Sequence, residues 1–273
     1  MHPAEPLPPG DELIPVSENE TFAFRCSSAL ACFNSCCRDL NQFLTPYDIL
    51  QLKTFLGIRS TEFLATYTSR HIGPQTGLPV VSLRPKAGGE RQCPFVTPAG
   101  CAVYPNRPSS CRMYPLARAA SRCRKSGRLT QHFALIREPH CLGFQQNHCQ
   151  SVAQWIQNQR LQHCLEHNDR FLEIIAIKNQ MAPGPLDLRS QHLFQLALYD
   201  IDAFREHILY KGLLADGSLP EETLQRLEID DLELLLVGHR FVAHQLVGKT
   251  PAFPGAPPES GQPEGRRTKD SDS

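Results

Sequence analysis

Eleven cysteines occur in this chain of 273 residues, and eight of them are grouped. The first group is Cys26, Cys32, Cys36 and Cys37, with intervals of five, three and none. The second is Cys93, Cys101 and Cys111, within a segment stiffened by Pro94, Pro98, Pro105, Pro108 and Pro115. Cys141 follows in Glu-Pro-His-Cys-Leu-Gly-Phe. Thiols converging from one short loop are how thiolate metal sites are built. Soft thiolates select zinc or iron–sulfur among common cellular metals. Zinc sites usually pair thiols about two to four residues apart. Cys32 and Cys36 fit that spacing, whereas Cys93 and Cys101 do not. Irregular spacing with an adjacent Cys-Cys pair favours iron–sulfur. Cys26, Cys32, Cys36, Cys37, Cys93, Cys101, Cys111 and Cys141 would supply two four-thiolate sites, or one cluster, such as a 4Fe–4S centre, plus a structural ion. Cys123, Cys149 and Cys164 are scattered and read as buried or incidental thiols. Arg25, Arg38, Arg107, Arg112 and Arg118 lie near the thiols in sequence and would offset thiolate charge. His71, His140 and His148 are the histidines nearest in sequence that could replace a thiol.

The elements that must hold these thiols are partly readable. Thr45-Pro46-Tyr47-Asp48 is a helix start, with Thr45 as cap, Pro46 in the first turn and Asp48 as the acidic member of a capping box. Ile49, Leu52 and Leu56 form one apolar face, and Gly57 ends that helix. Ser60 opens another helix carrying Phe63, Leu64 and Tyr67. Residues 71–110 are rich in Pro and Gly, with a strand-like run from Leu78 to Leu83. Gln150 to Ile177 reads as helix. Ser190 caps a run through Leu193, Leu196, Ala197, Ile201, Phe204 and Ile208, and a further run extends from Pro220 to Val247. These last two read as a helical hairpin docked on the cysteine-bearing part.

The expected fold is therefore mainly α: an irregular Cys-rich metal-binding core framed by helices, with a C-terminal helical hairpin. The expected organisation is a flexible arm over 1–20, a cysteine-cluster domain over 21–182, a helical region over 183–250 and a disordered tail over 251–273. The last is Pro-rich and almost free of apolar residues.

The segments Phe24-Arg25-Cys26, Cys36-Cys37, Leu44-Thr45-Pro46-Tyr47-Asp48-Ile49, Cys93-Pro94-Phe95, Gly100-Cys101-Ala102-Val103-Tyr104 and Arg107-Pro108-Ser109-Ser110-Cys111-Arg112-Met113-Tyr114-Pro115 carry a resemblance. Together with His140-Cys141-Leu142-Gly143, they resemble the YkgJ-type cysteine-cluster family over roughly residues 22–145. That family is taken to chelate zinc or iron, or to carry an iron–sulfur cluster, and is related to the cysteine-rich part of flagellin lysine N-methylases. The resemblance implies a bound metal centre. The family usually opens with Cys-x-x-Cys-x-x-Cys-Cys, and this chain departs from that spacing.

Lys plus Arg and Asp plus Glu are 28 each, so bulk electrostatic binding of nucleic acid or of a membrane surface is not expected. No signal-like N-terminus and no long apolar run stand in the sequence, and the cytoplasm, where thiols stay reduced, is the expected compartment. Phosphate-binding, zinc-protease and hydrolase motifs are lacking. The leading expectation is an accessory or redox protein holding an iron–sulfur cluster or zinc, with a protein partner left open. A cluster-dependent protein-modifying enzyme, such as a lysine N-methylase, and a structural zinc module in an interaction protein are the alternatives.

Overall fold

The computed structural model describes residues 10–38, 40–88, 91–122, 128–181, 183–214 and 219–247. The tail expected over 251–273 and Cys123 lie outside the described residues, as do residues 1–9 of the expected arm. The rest of that arm is not free: β1 (Glu12–Val16) pairs antiparallel with β9 (Leu129–Arg137).

The chain is not mainly α. Helices take 48% and strands 19% of the described residues, and four small sheets make the fold mixed α/β. The physical reason is that the irregular cysteine-bearing segments must still satisfy their backbone N–H and C=O groups, and short antiparallel pairings do this. The largest sheets have three strands, β1–β9–β8 with β8 at Leu116–Arg122, and β3–β5–β4 at Phe43–Leu44, Pro79–Leu83 and Thr68–Ile72. Two-stranded pairings join β2 (Thr21–Ala23) to β10 (Cys149–Ser151) and β6 (Val96–Thr97) to β7 (Gly100–Cys101).

Helix α1 (Pro46–Leu56) starts and stops as its residues dictate. Thr45 Oγ1 accepts from Asp48 N–H, Asp48 accepts from Thr45 N–H, and Gly57 ends the helix at φ 67°. Helix α2 (Ser60–Tyr67) follows, and a short α3 (Ser109–Met113) carries Cys111. The helix expected over 150–177 is two: α4 (Val152–Asn158) and α5 (Gln162–Met181), parted near Arg160 at φ 52°. The expected C-terminal hairpin is four helices. These are α6 (Leu188–Leu198), α7 (Ile201–Lys211), α8 (Glu221–Leu227) and α9 (Asp231–Val247). Asp187, and not Ser190, caps α6, because its carboxylate accepts the Ser190 N–H at 2.9 Å.

Two apolar cores hold these elements. The larger joins Leu44, Ile49, Leu52, Phe63 and Val81 to Phe194, Phe204, Leu234 and Leu235, so the C-terminal helices share one interior with α1, α2 and β5. At Gly238 of α9 an added Cβ would lie 2.1 Å from the Ala197 carbonyl oxygen, so α6 and α9 approach closely only because that side chain is missing. The smaller core is built on Phe24, whose ring meets Tyr114, Phe144 and Trp155 edge-on. Tyr47 packs against both.

Candidate metal centre

Four of the eight grouped thiols lie on the two cores. Cys93 is buried in the larger core with Cys37 and Cys101 packed against it, and Cys141 packs against the smaller one. Backbone hydrogen bonds bring together segments distant in sequence. Arg25 N–H donates to the Gly143 carbonyl at 3.1 Å, which sets the Cys26 turn beside the Cys141 turn. Gly143 has no room for a side chain, since an added Cβ would stand 2.5 Å from the Phe24 ring. Cys93 N–H donates to the Cys37 carbonyl at 2.8 Å. Asn34, in the left-handed region, donates from its side-chain amide to the Thr97 carbonyl at 3.0 Å, joining the first cysteine loop to the β6–β7 hairpin. Phe33 seals the same junction by packing against Gly100.

Electrostatics divide the eight thiols into two neighbourhoods. Burial raises the Cys26 thiol above its ordinary range, and Cys36, Cys32 and Cys141 raise it further, against the opposing Arg107. Around the second neighbourhood, burial raises Cys93, with Cys101 adding to the rise. Burial also raises Cys101, to which Cys36 contributes. Cys111 reaches solvent on one side yet is crowded enough that desolvation pushes it up strongly, followed by Cys93, Asp48, Cys101 and Cys36. The adjacent Cys36 and Cys37 link the two sets. A hydrogen bond between them pulls Cys36 down and Cys37 up.

Leu142 N–H donates to Cys32 Sγ at 3.3 Å. The backbone at Phe95 and Val96 offsets part of the rise at Cys93, and that at Val103 part of the rise at Cys101. Such donors stabilise the charged form that binds metal. The donor set thus fits a thiophilic ion or cluster. Among the described residues, no three His, Cys, Asp or Glu side chains already close on a common point as a finished site would.

The arginines divide in role. Arg107 faces Cys26, Cys101 and Cys111, held by its bonds to the Tyr104 carbonyl and Gln159 and stacked on the Tyr104 ring at 3.9 Å. Arg112 instead binds the carbonyls of Arg107, Gln159 and Pro105, and Arg118 pairs with Asp169. His140 stands 3.7 Å from Glu138, and His71 lies near the exposed Phe43. Cys149 is exposed on β10, and Cys164 is buried in the smaller core, where desolvation pushes it up to about 11. Sequence reading missed Gln42, which accepts from Cys111 Sγ at 3.3 Å. It also missed Tyr114, whose hydroxyl donates to Glu138 at 2.7 Å beside Cys141. Gln42 stands in no recurrent spacing with the thiols, and Tyr114, though within the Cys111 segment, shows its place beside Cys141 only in the fold.

Residues 25–142 match the family described as CxxCxxCC, putative zinc- or iron-chelating domain. No curated protein and no solved structure matches the chain.

Proposed function

We propose that this chain, which carries a domain of the zinc- or iron-chelating cysteine family in residues 25–142, is a metal-holding protein of accessory or redox role. Cys26, Cys32, Cys36, Cys37, Cys93, Cys101, Cys111 and Cys141 are its ligand set, and an iron–sulfur cluster is the group they hold. The observation that carries this reading is the convergence of the cysteine segments, in which Leu142 N–H meets Cys32 Sγ from 110 residues away and Cys93 N–H meets the Cys37 carbonyl. Arg107 supplies a fixed cation against the accumulated thiolate charge. A bound cluster would supply one-electron transfer and a cross-link between loops.

Zinc is the second reading. It is favoured by the eight grouped thiols, twice the four that a closed zinc site takes. Anaerobic purification followed by iron, sulfide and zinc analysis decides between them. Stoichiometric iron and sulfide with visible absorption is the expected result. A colourless protein holding only zinc overturns the cluster, and a protein that takes up neither metal overturns the site. Replacing both Cys36 and Cys37 by Ser should abolish binding.

A further inference from the structure

One carboxyl group outside the thiol set is placed unusually. Asp48 is 3% exposed, and its two oxygens serve two helices. Oδ2 accepts the Thr45 N–H at 3.0 Å, which caps α1. Oδ1 accepts the Ser109 N–H at 2.7 Å, and Oδ2 also accepts the Ser109 hydroxyl at 3.2 Å, which fixes the first turn of α3. Ser109 Oγ in turn accepts from the Asn168 amide of α5 at 3.1 Å. Cys111 is two residues beyond Ser109. Its thiol donates to Gln42 Oε1 at 3.3 Å, and the Ser110 hydroxyl accepts from the same amide, so Gln42 holds the thiol end while Asp48 and Asn168 hold the helix start.

We infer that Asp48 is the positioning residue for the Cys111 thiol, with Asn168 as its second anchor. The purpose of that positioning rests on the metal site proposed above, whereas the network does not. The capping role alone needs one oxygen, and the second oxygen is committed 61 residues away in sequence. Through Asn168, α5, which packs on α9, also holds Ser109, two residues before Cys111. An amide cannot replace the carboxyl here. Both oxygens face N–H donors, so the amide NH2 of Asp48→Asn meets a donor in either orientation and leaves a buried N–H unpaired.

The test compares the full chain with Asp48→Asn, Ser109→Ala, Asn168→Ala, Cys111→Ser and the Asp48→Asn/Cys111→Ser double variant. In the metal-free proteins, alkylation by a maleimide is followed thiol by thiol with peptide mapping. Asp48→Asn should speed labelling of Cys111 on the order of tenfold, the equivalent of one buried hydrogen bond, and leave Cys26 and Cys149 unchanged. An unchanged Cys111 rate, or an equal rise at every thiol, overturns the inference. Asn168→Ala leaves the α1 cap intact and should shift Cys111 in the same direction, so the test survives if Asp48→Asn fails to fold. The cobalt(II)-loaded proteins give the second measurement. Asp48→Asn should lose the same share of thiolate-to-cobalt absorption as Cys111→Ser, and the double variant should lose no more. Additive losses place Asp48 elsewhere than behind Cys111. Wild-type protein that takes up no cobalt, zinc or iron overturns the metal reading, and the labelling rates still decide the positioning.

Discussion

The two halves of the molecule are held by opposite means. Residues 25–142 contain 16 Lys and Arg against 5 Asp and Glu, whereas residues 143–250 contain 9 against 14. The zero net charge of the chain thus conceals a basic, cysteine-bearing half, offset by the acidic helical half together with the acidic excess of residues 1–24 and 251–273. Three cations of the first half, Lys53, Arg59 and Arg118, pair with Asp202 and Asp231, Glu206, and Asp169 of the second. Charge that looks absent in the sum is spent at the junction of the halves. The helical half meets the first through the larger apolar core as well, but the cysteine loop of 25–38 sets only Cys37 against either core. Thiolate–metal bonds are the natural substitute, since a metal supplies cohesion where apolar burial does not.

The contrast can be broken in order of size. Metal removal is the largest. A chelator should cost the loops around Cys26–Cys37 and Cys141 on the order of 10 kcal/mol of metal-linked stability. Hydrogen exchange should show those amides opening while α6–α9 keep their protection. Equal loss in both halves would contradict the division. Next is Lys53→Met, which leaves the buried Asp202 and the half-buried Asp231 without their lysine. Removing one partner of a buried pair costs about 3–5 kcal/mol, and Arg205, which also binds both carboxylates, holds the loss toward the lower end. Urea denaturation measures it, and a loss below about 1 kcal/mol would show that the junction is carried by apolar contact alone.

The third concerns pH. His239 of α9 is buried, and desolvation, with His167 and Arg170 nearby, holds its imidazole down to about 4. Its Nδ1 lies 2.8 Å from the Leu235 carbonyl, and Nε2 has no hydrogen-bond partner. A histidine lowered on folding stabilises the protein above its unfolded value near 6.5 and loses that contribution as pH falls toward 4. The loss is roughly 3 kcal/mol across that window, confined to the helical half, and His239→Leu should remove it from the pH profile. A wild-type profile that is flat between those limits rules the account out. Smallest is Arg59→Ala. The Arg59–Glu206 pair is exposed on both sides, so its loss should barely move the urea midpoint, and that small shift should vanish in high salt.

Legibility followed the range of the interactions. The start and stop of α1 were readable because each rests on contacts three or four residues apart: Thr45 with Asp48, and the Gly57 N–H with the Lys53 and Thr54 carbonyls. The breaks at Arg160 and at Tyr199–Asp200 were not, because neither carries Gly or Pro and the apolar period runs on through both. Strands β8 and β9 escaped for a different reason. Along β9 only Phe133 is buried, so the alternation that marks a half-buried strand is faint. Asp48 was legible as a cap and not as a partner of Ser109, since that second contact depends on where α3 docks.

The residue types alone determined that this chain concentrates thiols in two clusters with a late third element, and that their chemistry is that of soft metals. Spacing, order and turn residues were enough, because each is a property of a short stretch. Only the tertiary structure decided that Cys32 meets the Leu142 N–H, 110 residues away, and that the thiols divide into two neighbourhoods joined at Cys36 and Cys37. It also decided that a neutral sum conceals two charged halves in contact. Such facts arise from backbone hydrogen bonds and burial between distant segments, where no local pattern records which segments will meet.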